Sequence, residues 1–234
     1  FQDCHDLGWK LALHIKGLAG AGLLASYSDE RVKAAREIIE EAGKSTRFMA
    51  PPRRGYRLLR DAVLSLSLTR EFVRPLYHWR TSRAHDYADS QLNAVDDDNL
   101  QFTDGPRNGA PLLNVRLADQ HYLFDELEPA YHLICFTDAA VLAADVNAQV
   151  QALRRQGLPI QVIAIAMNGA SPVQHADLTL ADPDGLFSTR YGVQHPGAAY
   201  LARPDQHVCA RWLHLDGERL SHGLNQALGQ NGSN

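Results

Sequence analysis

The spacing of apolar residues changes once along this 234-residue chain, and that change constrains the fold more than any other feature. Up to about residue 75, apolar side chains recur every three or four positions, as they do on the buried face of a helix. After Ala110, short uninterrupted apolar runs such as YHLICF and PIQVIAIA are typical of strands that are buried on both faces. The chain is therefore predicted to begin with helices and to continue as an α/β fold.

Two apolar stripes define the first two predicted helices. The stripe of the first helix consists of Leu7, Leu11, Ile15 and Leu18, and the inward face of the second consists of Val32, Ala35, Ile39 and Ala42. The next segment, RLLRDAVLSLSLTREFVRP, leaves strand and helix open, because its leucines alternate with serines. Its length favours a helix.

The second part of the chain has the element order of a small α/β sandwich. A strand, YHLICF, is followed by a helix from Val141 to Gly157 and by a second strand, PIQVIAIA. AAYLAR and HVCARWLHL are predicted to form two strands joined by a turn, and a final helix lies around Leu220 to Leu228. This order predicts a thioredoxin-like α/β sandwich in residues 105–230, after a helical segment with a polar linker in residues 1–104.

Composition and cysteine usage argue against several classes of function. A net charge of −4 gives no basic stripe for nucleic acid, and the longest uncharged run is too short to span a membrane. The three scattered cysteines argue against a disulfide framework and favour a cytoplasmic protein. Cys135 lies inside a predicted strand, so a thiol redox protein is disfavoured unless Cys135 is exposed with a depressed pKa.

The remaining patterns that suggest chemistry have structural explanations. GLAGAG follows a predicted helix, whereas a dinucleotide-binding loop follows a strand, so its glycines are predicted to end one helix and begin the next. The histidines show no metal-ligand spacing, and Asp96-Asp97-Asp98 is interpreted as a solvated turn. These patterns predict neither a catalytic residue nor a metal site.

The opening of the chain resembles the second flavin motif of the flavoprotein aromatic hydroxylases. The matching residues are Phe1, Asp3, His5, Leu7, Trp9, Lys10, Leu11 and Ala12. The family is that of FAD-dependent monooxygenases of the phenol hydroxylase and 3-(3-hydroxyphenyl)propionate hydroxylase type. Asp6 stands where this family usually has asparagine.

Further pieces of the family's pattern follow in the same order and cover nearly the whole chain. They are Leu23 to Arg31, Tyr87 to Leu92, Gly109 to Leu117, Asp182 to Gly185 with Tyr191 to Val193, Pro196 to Leu201, and Arg203-Pro204-Asp205. Two positions depart from the pattern, because Lys33 and Gln91 replace prolines. Each piece is weak alone, and their common order carries the resemblance.

The resemblance implies FAD as cofactor and Phe1, Gln2 and Asp3 as the residues that contact it. In the family, the helix that starts here points its amino end at the pyrimidine side of the flavin, where N–H groups stabilise negative charge. An equally weighted alternative makes Asp3 a helix-start acid with no ligand. The phosphate-binding half of the family's fold is expected to precede Phe1, so this chain is expected to hold FAD poorly.

The activity implied by the resemblance is hydroxylation of a phenolic small molecule with NAD(P)H and O2. The chain alone is expected to be inactive, and its thioredoxin-like domain is expected to serve contact and homodimer formation. The alternative function is a non-catalytic thioredoxin-like module for interaction or dimerisation. Neither nucleic acid nor a membrane is expected as a partner.

Overall fold

The computed structural model describes residues 1–77, 84–118, 120–167 and 172–230. Internal contacts divide the chain into two units, Phe1–Ser28 together with Asp86–Asn234, and Asp29–His85. These units do not test the domain boundary predicted between residues 104 and 105, and that boundary stays a prediction.

Three helices open the chain, which confirms the helical start. Helix α1 spans Gln2–Ile15, α2 spans Ala21–Met49 and α3 spans Arg54–Ser67, and a 3-10 turn covers Glu71–Leu76. The segment that left strand and helix open is thus helical. Helix α2 ends two residues before the Pro51-Pro52 pair, because proline offers no N–H to the preceding turn.

The buried face of α2 differs from the predicted one. Val32 and Ile39 are exposed, whereas Leu23, Ser26, Glu30 and Ala34 are buried. These four residues also follow helical spacing, but two of them are polar. Apolar periodicity therefore identified the helix correctly and its inward face wrongly.

A two-stranded ribbon and a five-stranded sheet form the second part of the chain. In the ribbon, β1 (Arg116–Ala118) pairs antiparallel with β2 (His121–Tyr122). The sheet strands are β3 (Tyr131–Thr137), β4 (Ile160–Ala166), β5 (Leu178–Ala181), β6 (Ala199–Ala202) and β7 (Val208–Trp212). Their order is β5-β4-β3-β6-β7, with β3, β4 and β5 parallel and β6 and β7 antiparallel to their neighbours.

Three helices accompany this sheet, namely α4 (Ala144–Arg155), α5 (Leu186–Arg190) and α6 (Gly217–Ala227). The four predicted strands and the two longer helices are all present, so the α/β class is confirmed. The ribbon, β5 and α5 were not predicted, because they are too short to show an apolar period.

The sheet is covered on both faces, and alternation along β3 shows how. Tyr131, Leu133 and Cys135 pack with side chains of α4 and α6, whereas Ile134 and Phe136 face a second cluster that includes Phe187 of α5. Because both faces are buried, the strands appear in the sequence as continuous apolar runs rather than alternating ones.

Among the described residues, no helix has both the length and the apolar composition needed to cross a bilayer.

Candidate functional site

The three residues predicted to contact FAD form the exposed start of α1. Phe1 is the N-cap residue and supplies no side-chain cap, and Asp3 is the acid of the first turn. The first intrahelical hydrogen bond runs from the N–H of His5 to the carbonyl of Phe1, over 2.9 Å. The N–H groups of residues 2 to 4 therefore precede the helical ladder and point along the helix axis. Whether Phe1, Gln2 and Asp3 bind a cofactor stays a prediction.

Helix α1 turns a polar face, rather than its apolar stripe, toward the interior. Leu11 and Ile15 are exposed, whereas Asp6 and Lys10 are buried next to Leu13. The Lys10 Nζ lies 3.0 Å from Asp6 Oδ1, one helical turn away. Hydrophobic periodicity alone could not predict this, because the partners of this pair come from the far end of the sequence.

Those partners belong to the β6–β7 turn. Arg203 and Asp205 are buried, and the guanidinium of Arg203 binds the Asp205 carboxylate through two hydrogen bonds of 3.0 and 2.6 Å. The same guanidinium lies 3.8 Å from Asp6 Oδ1. Burial opposes ionisation of Asp205, but the charge of Arg203 outweighs it and holds the pKa of this carboxyl well below its ordinary value.

Aromatic rings enclose the Arg203 guanidinium. Its Cζ lies 5.6 Å from the ring centroid of Trp9 and 5.6 Å from that of Tyr87. The Trp9 ring also meets Tyr131 of β3 edge to face, with centroids 6.0 Å apart. A planar cation beside an aromatic face is a favourable arrangement, and it is stronger where water is excluded.

Four pieces of the family's pattern meet around this one arginine. Trp9 comes from the first piece, Tyr87 from the third and Arg203 from the last. Gly109, from the fourth piece, adopts a φ of +85°, and a Cβ there would lie 2.3 Å from the backbone of Tyr87. The N–H of Tyr87 also donates to the carbonyl of Gly109 over 2.9 Å. Residues almost 200 positions apart in the sequence thus form one buried cluster, which we call the Arg203 cluster: Asp6, Trp9, Lys10, Tyr87, Arg203 and Asp205.

Another piece of the pattern has a local structural role. The Asp182 carboxylate accepts hydrogen bonds from the N–H groups of Phe187 and Ser188, each over 2.9 Å, and from the hydroxyl of Ser188 over 2.6 Å. It thereby satisfies donors at the start of α5. The stretch Asp182 to Gly185 is accounted for as a helix-start motif.

The aspartates interpreted as a solvated turn instead bind the edge of the sheet. Asp97 accepts the N–H of Arg211 over 3.0 Å, and Asp98 accepts the N–H of Leu213 over 2.9 Å. Burial of Asp98 opposes its ionisation, but hydrogen bonds from Arg219 and Leu213 lower its pKa. The edge of β7 is therefore covered by carboxylates of the preceding connection, and the interpretation of a solvated turn was wrong.

The glycines of GLAGAG have the structural role predicted for them. They connect the end of α1 to the start of α2, and Gly17 adopts a φ of +70°. Gly20 lies against the chain after α6, where a Cβ would come within 2.2 Å of the carbonyl oxygen of Gly229. This close approach excludes a side chain at Gly20 and gives the glycine a packing role.

The cysteines do not fit thiol redox chemistry. Cys135 and Cys209 are buried, and burial raises the pKa of each thiol to about 12. Cys4 is exposed on α1, and all three are free. A reactive cysteine needs a lowered pKa and access to solvent. Cys135 is buried with a raised pKa, so it does not support a thiol redox protein.

A cleft of about 540 Å³ runs along one side of α1. Its walls include Cys4, His5 and Trp9 from the helix and Lys16 just after it, and Pro129 and Pro159 are among the residues opposite. Helix α1 is thus held along one face only, with its first two turns accessible to other molecules.

The start of α1 fits one side of a flavin site. An exposed helix start offers N–H donors and a positive helix end to a polar edge of a ring. A complete FAD site also needs a phosphate-binding loop, and the one glycine-rich stretch of the sequence is used to join two helices. Phe1, Gln2 and Asp3 could therefore contact one edge of a flavin ring.

Comparisons with known proteins find a family model and several relatives that resemble this chain. Residues 1–42 match the family model described as an FAD binding domain. The chain is 29% identical to aklavinone 12-hydroxylase RdmE of Streptomyces purpurascens, over 89% of this chain and 35% of that protein. It is 28% identical to pentachlorophenol 4-monooxygenase of Sphingobium chlorophenolicum, over 90% of this chain and 38% of that protein.

Solved structures show the same likeness. An aklavinone-11 hydroxylase in complex with FAD and aklavinone is 25% identical, with a TM-score of 0.56 over 97% of this chain and 39% of that one. The rebeccamycin biosynthetic enzyme RebC, with a TM-score of 0.66 and 24% identity over 97% of this chain and 40% of that one, supports the fold alone. The chain spans between a third and two fifths of the length of RdmE and of pentachlorophenol 4-monooxygenase.

Proposed function

We propose that this chain, a partial-length relative of the FAD-dependent aromatic hydroxylases, is the C-terminal part of such an enzyme. The observation that carries the proposal is the Arg203 cluster, because it assembles three separate pieces of the family's pattern, and Gly109 of a fourth piece packs against its Tyr87. The family-model match over residues 1–42 ends within α2 and supports the same assignment. The reaction proposed for the whole enzyme is hydroxylation of a phenolic small molecule with NAD(P)H and O2.

The residues of this chain would contribute one side of the flavin site. Bound FAD would supply the redox chemistry and the activation of oxygen. Phe1, Gln2 and Asp3 would place the positive end of α1 against the ring, which favours negative charge there. One helix end contributes only about 0.3–1 kcal/mol to binding an anion, so the chain alone would bind FAD weakly and would be inactive.

The α/β domain would serve contact rather than catalysis. We place it among thioredoxin-like domains because two parallel strands, β3 and β4, are followed by the antiparallel pair β6 and β7. With its cysteines buried, its role in a cytoplasmic enzyme would be to hold α1 and to form a homodimer.

The test is to express the coding sequence upstream of Phe1 in frame with this chain, beside the chain alone. We expect the longer protein to be yellow and to hydroxylate a phenol while consuming one O2 and one NAD(P)H per product, with water and NAD(P)+ formed alongside, and we expect the chain alone to be colourless. A longer protein that holds no flavin would contradict the proposal. A 234-residue chain that is yellow and active by itself would contradict the proposal that this chain contributes only one side of the flavin site.

An interaction or dimerisation module without cofactor is the second candidate, and exposed apolar residues of α2 and of the position just after α3 favour it. Ile39, Met49 and Leu68 are each more than two thirds exposed, and such side chains favour association. Size-exclusion chromatography with light scattering, combined with an FAD titration, separates the two candidates. A stable dimer that binds no FAD, both in the chain alone and in the longer protein, would favour the interaction or dimerisation module.

A further inference from the structure

We propose that Arg203 and Asp205 are positioning residues that fix the rotation and axial position of α1, and with them the direction in which its amino end points. Only the flavin part of this inference rests on the proposed function. The positioning part concerns this chain by itself.

The rotation of α1 is the first argument. Burial of apolar surface alone would turn Leu7, Leu11 and Ile15 inward, since they form the apolar stripe of the helix. The structure leaves Leu11 and Ile15 exposed and buries Asp6 and Lys10. Leu13 shares the buried face, but charged groups are buried only where partners compensate them, so this face can turn inward only with compensating charges opposite it.

The geometry of the charges is the second argument. Apolar contacts tolerate sliding, whereas a guanidinium that binds a carboxylate through two hydrogen bonds permits one orientation. Asp205 holds Arg203 in this way, and Arg203 in turn lies 3.8 Å from Asp6. Buried ion pairs add little net stability compared with apolar residues, and fixing a register is their best-supported use.

The aromatic contacts are the third argument. Arg203 lies against the rings of Trp9 of α1 and of Tyr87. Gly109 in turn packs closely against the backbone of Tyr87. A shift of α1 along its axis by one residue would move Trp9 about 1.5 Å and would change both its contact with Arg203 and its contact with Tyr131. Lysine cannot replace arginine here, because its point charge has neither the planar face nor the fork.

The test compares Arg203→Lys with a matched control, Arg211→Lys. Arg211 is also a buried arginine of the β6–β7 hairpin, and its guanidinium lies 4.6 Å from the ring of Phe102. Its hydrogen-bond partners are Asn99 and Asp104 rather than residues of α1. The two variants therefore replace a buried guanidinium by an ammonium group at two places in the hairpin, and only Arg203 contacts α1.

Amide hydrogen exchange of the chain as it exists is the first measurement. We expect Arg203→Lys to speed exchange in α1 by roughly tenfold relative to strands β3 and β4, and Arg211→Lys to change it less than about twofold. Equal exchange in α1 for the two variants, or α1 and the strands loosening together, would overturn the inference. Asp205→Asn, which keeps the shape of the side chain, carries the same test if Arg203→Lys does not fold.

Flavin affinity of the protein that includes the upstream coding sequence is the second measurement. We expect Arg203→Lys to raise the FAD dissociation constant by roughly tenfold, and Arg211→Lys by less than about twofold. An unchanged constant beside a loosened α1 would overturn the flavin part alone. A wild-type protein without flavin would contradict the proposed function, while the exchange result would still decide whether Arg203 positions α1.

Discussion

The five-stranded sheet and the three helices that precede it bury their apolar side chains to very different extents. Every residue of β4, β6 and β7 is buried, and so are six of the seven residues of β3. Along α1, α2 and α3, many large apolar side chains are exposed, most of all in α3, and Ile15 of α1 reaches 80%. The sheet region has its own core, whereas the helices present apolar surface.

This difference shows that the two regions have different sources of order. A sheet covered on both faces is stabilised by the burial of its own side chains. Helices with exposed apolar faces derive less stability from the chain itself and are suited to packing against further polypeptide. Helix α1 is intermediate, because Leu13 and Trp9 pack against the core of the sheet region beside the buried charges, while Leu11 and Ile15 remain exposed.

The largest expected contrast concerns the thiols. Cys135 and Cys209 lie in the sheet with a pKa raised by burial to about 12, against an ordinary value of 9.0. At neutral pH each therefore forms roughly a thousandth of the usual thiolate. We expect a disulfide reagent to modify one thiol per folded chain at once, at Cys4, and the other two only after unfolding. Rapid modification of Cys135 in the folded protein would contradict this contrast between exposed and buried thiols.

The next contrast is in core packing. Leu133→Ala, in β3, should lower the free energy of unfolding by about 2–5 kcal/mol, because it leaves a cavity in a covered sheet. Leu68→Ala, just beyond α3, should change it by less than about 0.5 kcal/mol, because the side chain is 85% exposed. Urea unfolding followed by circular dichroism compares them. Equal losses of unfolding free energy in the two variants would show that Leu68 is packed as closely as Leu133 and would contradict the difference between the two regions.

A smaller effect is expected at the edge of the sheet, where Asp98 accepts hydrogen bonds from Arg219 and Leu213. Since its pKa is lowered in the folded state, its contribution is present above the unfolded value of about 3.8 and is lost as the pH falls further. Asp98→Asn should cost about 1.5–3 kcal/mol at pH 7. The difference from wild type should shrink in urea titrations below pH 4, and a constant difference would contradict this assignment.

The smallest effect is expected in the helical region, at the exposed pair Glu71 and Arg74. Their charged atoms lie 3.3 Å apart, and both side chains are more than half exposed. Glu71→Gln should change the unfolding free energy by no more than about 0.5 kcal/mol at any salt concentration. A larger loss in thermal unfolding would mean that this region is more ordered by its own contacts than its exposure indicates.

The sequence predicted the elements of the fold better than their faces. Continuous apolar runs predicted β3 and β4 because both faces of each strand are covered. The polar side of α1 could not be predicted, since Asp6 and Lys10 are compensated by Arg203 and Asp205, which periodicity along one helix cannot detect.

The candidate site was predicted in a similarly uneven way. Phe1, Gln2 and Asp3 followed from the family's motif, and the structure places them at an exposed helix start. The Arg203 cluster was not predicted, although its residues belong to the family's pattern, with Asp6 as a departure from it. The signal that could have found the cluster is the presence of arginines within an otherwise apolar hairpin, because such a charge needs a partner when it is buried.

The central claim is that the amino end of α1 faces a flavin held mostly by other polypeptide. Proline is tolerated in the first turn of a helix, so Gln2→Pro removes one N–H from that end while Gln2→Ala keeps it. In the protein with the upstream coding sequence, the account predicts that Gln2→Pro raises the FAD dissociation constant by roughly three- to tenfold over Gln2→Ala. Equal constants for the two variants would contradict it.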